Sequence, residues 1–283
     1  MVISAAPRIR RSWKHWLKAR LAAALGRGTG QGIPVITLHT LACEDADAPS
    51  PAAFEWLVTT MQAHYTLVPV GELAQACAAG LARPPASITF DDGFEDCWSL
   101  ALPVLNRLGA RASFFICPDF AGGRIDITRN FAHYRGRRPM SPDQIRDLDA
   151  AGMEIGAHTL SHPLLSDLSP AGQTEEIVGS KHRLEDWLGK SVPSFAIPFG
   201  GRRSFDRTTL SIAAEHFKVC CTTLVGTNAP AAITTPDCAI LHRLDMTSQD
   251  DGRDMLSKLR GDWNIYHSFP RARPKRFAAP VSH

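Results

Sequence analysis

Thr89-Phe90-Asp91-Asp92-Gly93 sets two adjacent carboxylates at the end of an apolar, strand-like run that begins at Ala86. Successive side chains of a strand point to opposite faces, so the two acids would diverge if the strand continued. Gly93 lets the chain turn there and frees the second acid to enter the same pocket as the first. About 65 residues further on, His158-Thr159-Leu160-Ser161-His162-Pro163 offers two imidazoles four positions apart. One carboxylate and two neutral imidazoles can hold a divalent cation and leave a coordination position for water, while the other carboxylate stays free to take a proton. That set would do hydrolytic chemistry. Each half alone has a plainer reading: Asp-Asp-Gly is a common turn, and His-x-x-x-His is common at surfaces. Placed together at the ends of two strands, they point to a site.

The elements that must position these residues can be read from periodicity and punctuation. Short apolar strands are expected at 33–39, 86–90, 112–117, 153–157, 194–197, 217–222 and 239–242, alternating with amphipathic stretches. Ser50-Pro51 opens a helix to about His64, with Ser as N-cap and Pro at the first helical position. Ser141-Pro142-Asp143-Gln144 is a capping box for a helix to Ala151 that Gly152 stops. Ser169-Pro170 opens a longer helix through Leu188, followed by Gly189, and Glu95 to Leu108 reads as another despite Pro103. Alternation of strand and helix predicts a parallel sheet, and seven strands favour a closed or nearly closed barrel. Both acid and histidine motifs then fall at the carboxyl ends of strands, where α/β folds carry their sites. Residues 118–140, rich in Gly, Arg and aromatics, are expected to form a loop over the site.

The motifs in series resemble the polysaccharide deacetylases of the NodB-homology type, carbohydrate esterase family 4. The likeness runs from about Pro34 to about Met246. It takes in Thr89–Gly93 with Phe94 and Asp96, Ala112-Ser113-Phe114-Phe115 and Gly152 to Thr159. It continues through Ser180-Lys181, Leu188-Gly189 and Phe195-Ala196-Ile197-Pro198-Phe199-Gly200. The resemblance implies a distorted (β/α)7 barrel and metal-dependent removal of an N-acetyl group from a sugar of a polysaccharide or glycolipid. It implies Asp91 as general base, with Asp92, His158 and His162 holding the ion. Zinc is the expected ion, with cobalt or nickel as alternatives. Pro198, Phe199 and Gly200 would line the substrate wall.

Two family features stand differently in this chain. The late Leu-x-His motif that supplies the general acid is not clean in Ile240-Leu241-His242-Arg243-Leu244-Asp245, whereas the first strand ends Ile36-Thr37-Leu38-His39. The resemblance is then to a branch with that motif at the N-terminal side, which makes His39 the expected acid and His242 the second choice. The arginine that orients the base is missing from its usual motif, leaving Arg202, Arg203 or Arg243 to replace it. Other readings of the same residues are a deformylase or deacylase of a lipid-linked amino sugar, an O-acetyl esterase, and a non-catalytic carbohydrate-binding relic.

Composition sets the frame. At 283 residues and 44% hydrophobic, the chain can bury one large core. With 31 basic and 28 acidic residues and no basic stripe in its centre, it does not read as a nucleic-acid binder. The basic residues gather at the ends, giving expected units of 1–32 (a basic segment), 33–262 (the catalytic domain) and 263–283 (a basic tail). Residues 12–25 read as a basic amphipathic helix, either packed or solvated or, through residues 8–27, in peripheral contact with a membrane. The run Leu21–Leu25 is too short for a secretory core or a membrane span, so a cytoplasmic chain, peripheral to the inner membrane face, is expected. Seven cysteines without a Cys-x-x-Cys argue against a disulfide framework or zinc knuckle. The oligomeric state is not legible.

Overall fold

Val35-Ile-Thr-Leu38 and Pro85–Phe90 have no exposed position along their length, the burial pattern of parallel strands covered on both faces. The computed structural model describes residues 12–26, 28, 32–42, 48–131 and 134–267. Arg8, Arg10, Arg11, Arg27, Cys43 and residues 268–283 of the basic tail lie outside the described residues. The strands are β1 (Val35–Leu38), β2 (Thr66–Leu67), β3 (Pro85–Phe90), β4 (Ser113–Ile116), β5 (Glu154–Ala157), β6 (Ser194–Ala196), β7 (Val219–Cys221), β8 (Ala239–Leu241) and β9 (Leu244–Asp245). The α-helices are α1 (Trp13–Leu25), α2 (Pro51–His64), α3 (Leu73–Ala78), α4 (Leu102–Leu108), α5 (Pro118–Ala121), α6 (Pro142–Ala150), α7 (Pro170–Leu188), α8 (Arg207–His216), α9 (Pro230–Ile233) and α10 (Gly252–Leu259).

The sheet runs β8-β7-β6-β5-β4-β3-β1-β9, with β2 beside β3, and every ladder between these strands is parallel. Its two edges, β8 and β9, are joined by only His242 and Arg243. Three peptide steps span at most roughly 11 Å, so the sheet must curl until its edges nearly meet. The result is the distorted, incompletely closed barrel expected from the sequence. Seven of the strands sit where periodicity placed them; β2 and β9 are two-residue additions with no signal of their own.

The helices follow their start signals. The Ser50, Ser141 and Ser169 hydroxyls accept from the backbone N–H groups of Ala53, Gln144 and Gly172, and Gln144 completes the capping box. Gly109 and Gly189 end α4 and α7 in the left-handed conformation. The expected helix from Glu95 to Leu108 is split instead. Cys97–Ala101 form a π turn, and α4 restarts with Pro103 in its first turn, where the missing proline N–H breaks no helical bond.

The core lies between the sheet and the surrounding helices. Phe90 and Phe114 are register partners on β3 and β4, and their rings stack 4.9 Å apart. Such a pair adds about 0.5–1.5 kcal/mol beyond the area it buries. Because all ladders are parallel, the carboxyl ends of the strands share one rim. His39, Asp91, His158, Ile197 and His242 each follow directly after a strand on that rim.

Candidate active site

Leu38 pairs with Phe90 in the β1–β3 register, so His39 and Asp91 leave the sheet side by side. The backbone then departs from strand geometry one residue earlier than glycine alone suggests. Asp92 itself takes φ 75°, followed by Gly93 at 90°. This turn lets two neighbouring acids serve one pocket. Among the described residues, the non-glycine positions with positive φ are Asp92, Thr159, His162 and Phe199. All four belong to the motifs picked out from the sequence, and strain of this kind gathers at functional sites.

Asp92, His158 and His162 converge. The His158 and His162 Nε2 atoms stand 3.4 and 3.3 Å from the same Asp92 oxygen. That oxygen, Oδ1, is buried without a hydrogen-bond partner. His158 Nδ1 lies 2.8 Å from the Ala196 carbonyl. A carbonyl only accepts, so Nδ1 carries the proton and the Nε2 lone pair faces Asp92. Burial pushes Asp92 toward protonation, but its two imidazole neighbours outweigh that and hold it well below the usual carboxylate range. Burial disfavours the imidazolium of His158, while the facing Asp92 carboxylate and then the Asp91 charge raise its pKa overall. An orphaned carboxylate oxygen between two aimed imidazole nitrogens fits a divalent cation with N/O preference, and the three residues offer ligand atoms within 4.8 Å of one another.

The loop carrying the histidines is not helical. The His162 N–H donates to the Thr159 hydroxyl at 3.1 Å. Ser161 is held by Glu176 of α7, whose carboxylate accepts from its N–H at 2.9 Å and its hydroxyl at 2.6 Å. Glu176 carried no signal in the sequence pattern, since an acid on a helix flank is ordinary.

Asp91 faces a different partner. Arg243 donates both terminal nitrogens to it, each at 2.7 Å. The same guanidinium donates to the Thr222 carbonyl at 2.8 Å and the Thr89 hydroxyl at 3.1 Å. Burial pushes the Asp91 pKa up, but the Arg243 charge, with His158, outweighs it and leaves the group below its ordinary value. Of the three arginines weighed from the sequence, Arg243 is therefore the one at the acid. Arg202 and Arg203 are exposed, and Arg202 donates to the His267 carbonyl.

His39 and His242 separate in the same way. His39 is close enough for its charge to act on both Asp91 and Asp92, and its ring stacks 6.1 Å from Tyr134. His242 packs edge-on against His267 at 4.4 Å, and burial with the His267 and Arg202 charges lowers its pKa to about 4. Arg243 occupies the next position and reaches Asp91, so the alternation of an extended chain turns His242 to the other side.

Pro198, Phe199 and Gly200 follow β6 on the rim. Phe199 sits 4.8 Å edge-on to His162. Gly200 has φ 56°, and a Cβ there would lie 2.4 Å from the Thr223 nitrogen, so only glycine fits. The described residues of 118–140, expected as an irregular loop, include α5 and a short turn Ile127–Asn130, and several of them reach the rim. Phe131 lies 5.9 Å from His162, Tyr134 reaches His39, and Arg137 pairs with Asp96 at 2.6 Å. A groove of about 300 Å³ is lined by His39, Tyr134, Asp245 and Gln249.

Residues 79–217 match the family described as Polysaccharide deacetylase. A chitin deacetylase from Pestalotiopsis sp is 31% identical over 138 residues, 49% of this chain and 40% of that protein. YxkH of Bacillus subtilis (strain 168) is 27% identical over 128 residues, 45% of this chain and 40% of that protein. The aligned part thus spans about two fifths of each relative. Among solved structures, the chain is similar to the Streptococcus pyogenes deacetylase PplD, solved in complex with acetate. That match has a TM-score of 0.67 at 23% identity over 81% of this chain and 98% of that one. IcaB from Ammonifex degensii gives a TM-score of 0.65 at 21% identity over 81% of this chain and 97% of that one. These likenesses show the curled parallel sheet to be that of a NodB-type deacetylase fold.

Proposed function

We propose, from the membership of residues 79–217 in the polysaccharide deacetylase family, that this chain removes an N-acetyl group from a sugar of a polysaccharide or glycolipid with the help of a divalent cation. The observation that carries the reading is the rim geometry. A buried Asp92 oxygen without a hydrogen bond lies between two imidazole nitrogens, beside a second acid clamped by a buried arginine.

Asp92, His158 and His162 would hold the cation, zinc being the best match to a carboxylate and two imidazoles and cobalt or nickel the alternatives. When bound, the cation supplies Lewis acidity to water and to an acyl carbonyl. Asp91 stays ionised because Arg243 faces it, and takes the proton of the attacking water as general base. Arg243 keeps the carboxylate in one orientation through its paired donors. His39, on the next strand end, gives a proton to the nitrogen as the carbon–nitrogen bond breaks, releasing acetate and a free amino sugar. Pro198, Phe199 and Gly200 wall the acyl side.

The test is acetate and formate release from N-acetylated oligosaccharides and N-acyl glycolipids by chelator-stripped protein, with and without added zinc or cobalt. Metal-dependent acetate release that Asp91→Asn abolishes is expected. His39→Ala should lower turnover and keep the bound metal. Asp92→Ala should lose both, and retention of metal and turnover in that variant would overturn the assignment. Stoichiometric metal binding with no release from any substrate would favour a binding relic, and release of formate alone would move the substrate to a formylated sugar.

A further inference from the structure

Helix α1 packs against the body with the wrong face, by the usual logic of amphipathic helices. Its buried residues are Ala19 and Ala22, with His15 half-buried beside them, and they rest on α10 and the short turn Asp262–Tyr266. Its large apolar side chains point outward: Trp13 is 70% exposed, Trp16 44%, Leu17 43%, Leu21 41% and Leu25 64%. Among the described residues only Leu81, at 39%, is another exposed large hydrophobic. Trp13, Leu17, Leu21 and Leu25 recur every fourth position, so they form one continuous stripe along the helix.

The exposed charges of α1 itself have one sign, the acids Asp251 and Asp254 lying on the α10 side of the helix. Lys14, Lys18 and Arg20 are exposed, and Arg20 lies over the Trp16 ring at 4.7 Å. Residues 1–43 contain seven Lys and Arg and no Asp or Glu, and the residues after Asp262 contain four and none. Removing these eleven from the 31 basic residues leaves 20 against all 28 acidic ones, a net charge of −8 for the remainder. The two ends of the sequence are therefore basic and the remainder acidic, and α1 sets the described cations Lys14, Lys18 and Arg20 beside its apolar stripe. A second copy meeting it face to face would bring two such faces into repulsion, and the chain's own basic ends are no better matched. An anionic lipid surface accepts both halves of the face: its headgroups attract the cations, and its acyl boundary takes the Trp and Leu side chains.

We infer that α1 docks the chain onto an anionic bilayer, with the Trp13–Leu17–Leu21–Leu25 stripe in the headgroup boundary. The docking also sets an orientation. Ser12, the N-cap of α1, donates its N–H and hydroxyl to Gln249 at 3.2 and 2.8 Å, and Gln249 lines the groove that contains His39. One residue lining that groove therefore anchors the amino end of the docking helix. On the hydrolase reading above, which the docking itself does not require, a sugar carried at a membrane surface would meet the groove directly.

The experiment is flotation of the full chain with phosphatidylcholine vesicles, with and without phosphatidylglycerol. It is repeated with a Trp13→Ser/Leu17→Ser/Leu21→Ser variant, which keeps every charge and touches only outward positions. The intact chain should partition at least about tenfold better into the anionic vesicles, and the variant should lose about tenfold or more of that binding. Should the variant misfold, quenching of wild-type tryptophan emission by brominated lipid replaces it, and that quenching should disappear in Trp13→Phe/Trp16→Phe. Absence of flotation by the intact chain would overturn the inference, as would undiminished flotation of the triple variant, which would reduce the contact to charge alone. A concentration-dependent dimer that the triple variant abolishes, without vesicle binding, would give the face to a second copy instead.

Discussion

Arg243→Met is the most exacting single change the geometry offers. The side chains of Arg243 and Asp91 are 0% and 2% exposed, and the guanidinium donates to Asp91 twice, to Thr89 and to Thr222. Methionine fills much of the volume but leaves a carboxylate buried with no counter-charge, which costs about 3–5 kcal/mol. The loss should depend on pH. In the wild type the folded Asp91 pKa is lowered, so its stabilisation is present above the unfolded value, about 3.9, and is lost as pH falls through the lower folded value. In the variant burial acts without the arginine and the folded pKa moves above the unfolded one. The penalty then grows as pH rises past about 3.9. The gap between variant and wild type should therefore be widest at neutral pH and narrow on acidification. Urea denaturation of chelated protein at pH 7 and pH 4 reads this directly. A gap below about 1 kcal/mol at pH 7, or one equal at both pH values, would refute the argument. Asp91→Leu/Arg243→Met should recover much of the stability, since apolar replacement of both partners removes the stranded charge.

Three further outcomes follow from the same structure. Glu176→Ala, which touches no ligand, should weaken zinc binding by about tenfold in calorimetry by freeing the histidine loop; unchanged affinity would show that Thr159 alone orders it. Gly200→Ala should destabilise by about 2–4 kcal/mol in thermal or urea unfolding, because both its positive φ and the Thr223 backbone oppose a Cβ. His15, 3.2 Å from Asp250 and 3.5 Å from Asp254, has its pKa raised to about 9 by bonds to Asp250 and then Asp254. Its contribution is thus complete below the unfolded value of about 6.5 and is lost as pH rises through about 9. His15→Gln should lose about 1 kcal/mol at pH 6, a figure discounted for solvent screening of a half-buried pair. A stability difference from wild type that persists at pH 10 would refute the pairing.

The fold was legible wherever the information is local. Strand runs, serine caps and glycine stops lie within a few residues of the elements they define, and α2, α6 and α7 form where those signals stand. The convergence of Asp92, His158 and His162 was legible because each motif directly follows a strand and parallel strands end on one rim. What escaped depends on distant geometry. Arg243 was one of three candidates, and only the curl of the sheet brings the link between β8 and β9 back beside Asp91. The period of α1 left a packed helix and an outward-facing stripe both open; the fit of Ala19 and Ala22 against the body decides which side faces out. The π turn before α4 is a local accommodation to Pro103 that propensity does not anticipate.

The near-closure of the sheet through His242 and Arg243 has a consequence for how the protein comes into being. Asp91 and Arg243 are 152 residues apart in sequence, and contacts of such separation form late, after much of the chain has ordered. A ribosome that has released the first eight strands has already supplied His39, Asp91, Asp92, His158 and His162. That nascent chain holds every proposed reacting group, yet its acid still lacks the guanidinium that keeps it charged and aimed. The clamp on Asp91 can therefore form only after the link between β8 and β9 has followed every other proposed group of the rim.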